Sequence, residues 1–144
     1  MVWICLFAFS VFIFFMTKSH KKWMQVWHAG VIALAVVYAI DATLIRLGAF
    51  SYICDLHFAG GLPLFYWLSA FFGGVLLVRY YPRKSIWKLP YILLADFMFL
   101  VLEHIMRMIG YFRYHNWSLI NSFFLDIVGF IIVIWFWNWI NEIR

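Results

Sequence analysis

Four ionisable side chains, Asp96, Glu103, His104 and Arg107, stand inside the apolar stretch at positions 90–112, PYILLADFMFLVLEHIMRMIGYF. At about 100° per residue, Asp96, Leu100, Glu103, Arg107 and Gly110 share one stripe of a helix, with His104 at its edge. Leu94, Met98, Val101, Ile105 and Ile109 form the opposite face. One face suits hydrocarbon and the other needs protein or water. Ionisable groups at membrane depth cost on the order of several kcal/mol unless they are paired or face a cavity, so the charged face looks into a bundle made by the rest of the chain.

Other polar residues extend this face into a chamber. Asp41 and Asp126 stand in two further apolar stretches, while Arg46, Asp55, His57 and Arg113 flank them. Glu103 and Arg107 are in the order that favours an i,i+4 ion pair, and one reading is that they neutralise each other and lock the helix to its neighbours. A second reading makes the chamber a binding site in which Arg46, Arg107 and Arg113 donate to an anionic lipid or small molecule, since guanidinium matches phosphate and carboxylate. A third makes Asp96, Glu103 and Asp126, at different depths, stepping groups for a proton or ion. His57, His104, Asp55 and Glu103 could be imagined around a metal, but no HExxH or clustered histidine spacing supports one. The chain also has no CxxC pair, GxSxG elbow or DDxxD-like run. No cofactor or catalytic residue is therefore assigned.

The surrounding composition says what kind of chain carries these residues. It is 67% hydrophobic and 12% charged, against about half and a quarter in soluble domains, which points to an integral membrane protein. Nothing resembling a linker divides it, so residues 1–144 are read as one all-α domain. The net charge of +5 does not indicate nucleic acid, because eight of the eleven basic residues sit in short segments flanking apolar stretches. The first apolar run lacks the basic start and small-residue cleavage site of a secretory signal and reads as an uncleaved anchor.

Five apolar segments can be drawn, at 2–16, 24–45, 63–78, 90–109 and 117–140. A spanning helix needs about 20 residues, so the first and third are expected to extend into their flanks. With five spans, Lys18, Lys21, Lys22, Arg79, Arg83, Lys84, Lys88 and Arg144 fall on one side, and Arg46, Arg107 and Arg113 on the other. Eight against three puts the N-terminus outside and the C-terminus inside. Trp3, Tyr52, Tyr111, Tyr114 and Trp117 then read as anchors at the outer interface. The connection at 47–62 is apolar and is expected to lie in the interface or dip toward the bundle. In the third segment Ser69 with Gly73, and Ala70 with Gly74, repeat small residues four apart, a close-packing signal. Ser118, Ser122, Asp126 and Gly129 make a polar seam on the fifth. Cys5 and Cys54 read as unpaired thiols.

From Leu64 onward a further pattern emerges. An apolar segment ends in the turn Arg79-Tyr80-Tyr81-Pro82-Arg83-Lys84, the next carries Glu103 near its outer end, and Tyr111, Tyr114 and Trp117 link it to an aromatic-rich last segment. Over about half the chain this resembles a family of small polytopic membrane proteins of bacilli and clostridia. It departs from them at a second acidic position near Glu103, held here by other residues. The resemblance implies a bacterial cytoplasmic membrane and no particular activity.

Two function classes remain: a non-enzymatic component that binds a lipid, a protein partner or a second copy of itself, and a small transporter or membrane enzyme for an anionic or amphipathic substrate. The topology is directly testable. Reporter fusions after Lys22 and Lys88 should read cytoplasmic and fusions after Ser51 and Arg113 external, and a cytoplasmic signal at Arg113 overturns the arrangement.

Overall fold

The computed structural model describes residues 1–143, so Arg144 lies outside the described residues. Five helices form the fold: α1 (Val2–Met16), α2 (Trp23–Arg46), α3 (Leu64–Arg79), α4 (Ser85–Ile109) and α5 (Leu119–Ile143), with a short 3-10 turn at Ser19–Lys22. Two three-residue strands, β1 (Phe50–Tyr52) and β2 (Phe112–Tyr114), join the α2–α3 and α4–α5 connections. The all-α expectation is met in its main mass. Of the two readings of 47–62, the one that dips toward the bundle holds, since Ala49, Phe50 and Leu62 are buried, and the strand pairing adds a ribbon that was not expected.

Local chemistry explains most of the helix limits. Behind α1, Lys18 takes a left-handed φ of 54°, which ends the helix. Thr17 Oγ1 donates back to Ile13 O at 2.7 Å and shares a 2.9 Å hydrogen bond with buried Ser19. Helix α3 starts after Pro63, whose extended backbone cannot continue a helix upstream. These stops hold α1 to 15 residues and α3 to 16, so neither grows into its flanks as expected. At about 1.5 Å per residue they reach some 22–24 Å, short of a hydrocarbon core about 30 Å thick. Helix α4 begins five residues before Pro90, the expected start, and carries that proline in its second turn. It closes at Gly110, φ 89°, where Gly110 N donates to Arg107 O and Tyr111 N to Met106 O, the paired bonds of a Schellman ending.

Two helical stretches, Ser19–Arg46 and Leu119–Ile143, are long and apolar enough to cross a membrane. Only 28% and 17% of their most apolar windows are buried in the protein, which is not how the core helix of a water-soluble fold behaves. Helix α4 has the length but is interrupted by Asp96, Glu103 and Arg107. Its apolar face is as the spacing predicts, with Leu94, Met98, Val101, Ile105 and Ile109 all exposed, whereas the polar stripe turns inward only in part: Asp96 is buried and Glu103 half-buried, but His104, Arg107 and Gly110 are exposed.

Neighbours in the bundle follow the order α1, α3, α2, α5, α4, with α5 also touching α3. Its core has two parts. Phe14, Val26, Ala29, Ala33, Val75 and Val133 pack near the basic turns, and Trp3, Ala42, Phe50, Leu62, Tyr66, Met106 and Phe112 pack beneath the ribbon. Helices α2 and α3 meet at Gly74, where a Cβ would stand 2.7 Å from Ala29 O and collide with Ala33 Cβ. The small-residue repeat thus contributes Gly74 to packing, while Gly73 faces open space. Gly74→Leu should destabilise the fold by about 1–3 kcal/mol or more by forcing two backbones apart. Gly73→Ala should be neutral or slightly stabilising. Thermal unfolding in detergent separates them, and equal effects would contradict the close α2–α3 approach.

Candidate functional site

The ribbon places the site. Its register pairs Phe50 with Tyr114, Ser51 with Arg113 and Tyr52 with Phe112, and backbone bonds extend it from Ile53 N to Tyr111 O and from His115 N to Ala49 O, each 2.9 Å. Side chains alternate along such strands. Phe50 and Phe112 are buried while Arg113 is exposed, so the aromatic side of the ribbon faces the bundle. The outer aromatics expected to anchor in the interface therefore pack inward. Trp3 is 5% exposed and meets Tyr52, Tyr66 and Tyr111 edge-on, with centroids 5.5, 5.6 and 6.4 Å away. Its indole N–H donates to Ile53 O at 3.0 Å, which ties the start of α1 to the ribbon.

Two carboxyl groups organise the polar part. Asp41 of α2 accepts at Oδ2 from Tyr52 at 2.9 Å and from Tyr66 at 3.1 Å. Glu103 of α4 accepts at Oε1 from the Tyr114 hydroxyl and from Ser122 Oγ, the latter at 2.9 Å. Ser122 is held in turn by the Trp117 indole N–H at 2.8 Å. Arg107 does not seat itself on Glu103 as the spacing suggests: its guanidinium lies over the Tyr114 ring, 4.1 Å from the centroid. Tyr114 is thus the shared neighbour of acid and base. In the ribbon, burial pushes the Tyr52 hydroxyl well above its ordinary range, and nearby Asp41 adds to this, so Tyr52 stays a donor at ordinary pH. Burial also raises the Cys54 thiol, and Cys5 and Cys54 are both free.

The ten residues expected to form one chamber divide. Asp41, Asp96, Glu103 and Asp126 gather within electrostatic range of one another. Arg46, Asp55, His57, His104, Arg107 and Arg113 are exposed. His57 is engaged through a backbone bridge to Pro63. The arginine fork expected to grip an anion is accordingly not assembled around the carboxyl groups. Sequence reasoning missed Tyr52, Tyr66, Tyr114 and Trp117 as site residues. For Tyr66 a signal existed, since it lies three residues before Ser69 on the same face of α3, but the others depend on strand pairing between distant loops.

Beside this network lies a groove lined by Trp3 and Leu6 of α1, Phe99, Leu102, Glu103 and Met106 of α4, and Tyr52, Tyr66 and Phe112. It forms where α1 and α4, the two ends of the packing order, approach under the ribbon. Its wall is apolar apart from two tyrosine residues and the one carboxyl group of Glu103, a make-up shared with small-molecule sites. Among the described residues no group of three or more His, Cys, Asp or Glu side chains could hold a metal ion. No protein-family model, curated protein or solved structure matches the chain.

Removing the donor hydroxyl in Tyr114→Phe should lower stability by about 1–3 kcal/mol, because a partly buried carboxyl loses a partner. Arg107→Leu should lower it by only about 0.5–1 kcal/mol, the worth of an exposed cation–π contact. Thermal unfolding of both variants checks this order. The reverse order would restore the direct Glu103–Arg107 pair as the dominant interaction.

Proposed function

We propose that this chain is a five-span protein of a bacterial cytoplasmic membrane that holds the hydrocarbon chain of a lipid or other single-chain amphiphile between α1 and α4. The groove carries this reading. It has an apolar wall and a polar end at Glu103 and Tyr52, the two kinds of surface an amphiphile needs.

The membrane setting rests on surface chemistry. Phe9 and Phe12 of α1, Phe97 and Met98 of α4, and Phe124 and Trp135 of α5 are each 60–66% exposed, a surface too apolar for a monomer in water. The loops between α1 and α2 and between α3 and α4, with the adjoining ends of α3 and α4, carry seven of the ten described basic residues, while Arg46, Arg107 and Arg113 belong to the ribbon end. That asymmetry favours the ribbon outside and the lysine-rich turns inside. The short α1 and α3, packed side by side, suit a locally thinned bilayer. The alternative of a small transporter for an amphipathic or anionic substrate draws on the carboxyl groups beneath the groove.

Lipid extracts of protein purified in mild detergent should contain one enriched amphiphile, identified by mass spectrometry. Filling the groove in Leu102→Trp should reduce its retention by about fivefold or more, equivalent to about 1 kcal/mol, with little change in thermal unfolding. Equal retention in a folded Leu102→Trp protein rules the groove out as the binding site.

A further inference from the structure

Two carboxyl groups are not accounted for by the tyrosine network. Asp96 is 0% exposed, and neither of its oxygens has a hydrogen-bond partner among the described residues. The same holds for Asp126 Oδ2. Their helices, α4 and α5, pack together. Two contacts set the antiparallel register: Ser122 bonds Glu103 at 2.9 Å, and Phe130 meets Phe99 with centroids 6.1 Å apart. Asp126, midway between Ser122 and Phe130, is therefore level with the turn between Glu103 and Phe99, one turn outward of Asp96. At about 1.5 Å per residue, Glu103, Asp126 and Asp96 form a descending series spanning some 10 Å.

An ionised carboxylate in that position needs a counter-charge. The charged groups acting on Asp126 are Glu103, Asp96 and Asp41, all acidic. Arg107 acts on Glu103, but among the described residues no cation acts on Asp96 or Asp126. The remaining neighbours with ionisable groups are Tyr66 of α3 and Tyr52 of the ribbon, both bonded to Asp41. Arg79, at the opposite end, donates to Thr17 O at 3.4 Å. With no donor set for a metal ion among the described residues, the cation that fits is the proton.

We propose that Asp96 and Asp126 form a proton-holding site inside the bundle, exchanging with the ribbon side through Glu103 and its Tyr114–Ser122 hydrogen bonds. The opposite direction is closed by packed hydrocarbon: Ile92, one turn below Asp96, is buried together with Val75, Val78, Val133 and Ile134. Each transfer breaks one carboxyl O–H bond and forms another, leaving a carboxylate that is refilled from the ribbon side. This site is independent of what occupies the groove.

Dicyclohexylcarbodiimide, which reacts with protonated carboxyl groups in apolar surroundings, tests the site on the unmodified protein. Peptide mapping by mass spectrometry after treatment at neutral pH should place the label on Asp96 or Asp126. Labelling that spares both, whether it falls on Glu103 or nowhere, overturns the proposal. Infrared spectra in lipid should show the carbonyl stretch of a protonated carboxylic acid, shifted in D2O and reduced by one band in Asp96→Asn or Asp126→Asn. An unchanged band in both folded variants overturns it equally.

Discussion

A carboxyl group surrounded by hydrocarbon needs donors or a bound proton, and Asp41 and Glu103 find donors on tyrosines from other elements. Tyr52 of the ribbon and Tyr66 of α3 converge on Asp41, while Tyr114 of the ribbon and Ser122 of α5 converge on Glu103. Each hydrogen bond therefore also fastens one element to another. The ribbon is otherwise three residues per strand, too short to stand alone. It is held because its aromatic side supplies both the hydroxyl groups that satisfy the acids and the rings that cover them.

The same arrangement creates the groove. Trp3 at the start of α1 is pinned by its indole N–H and by three tyrosine rings, so α1 is set beneath the ribbon from its first turn. Further along, α1 leans on α3, and the space between it and α4 is left to Leu6, Phe99, Leu102 and Met106. Aromatic residues that would otherwise serve as interface anchors become walls. The two halves of the bundle consequently differ in kind: acids, hydroxyl groups and rings under the ribbon, and close contact of small and aliphatic residues near the basic turns. At Gly74 that contact brings α2 and α3 as near as backbones allow.

The sequence by itself determined the helical class and the two faces of α4, because period and polarity are local properties that any packing must respect. Asp96 had to turn inward and Leu94, Met98 and Ile105 outward, whatever the neighbours were. Apolar length was less informative. It drew α1 and α3 nearly at their observed bounds, but the extension into their flanks that a full span requires is stopped at Lys18 and Pro63. Only the tertiary structure decided the partners of the charged groups. The spacing of Glu103 and Arg107 permits an ion pair, yet Tyr114 reaches the same place from a loop and offers a hydroxyl to one and a ring to the other. That contest between a local pair and a distant one depends on the register of β1 with β2, residues some sixty positions apart. No periodicity in either segment encodes it, because strand pairing is fixed by which rings fit against Trp3 and which hydroxyl groups reach Asp41 once the helices have packed.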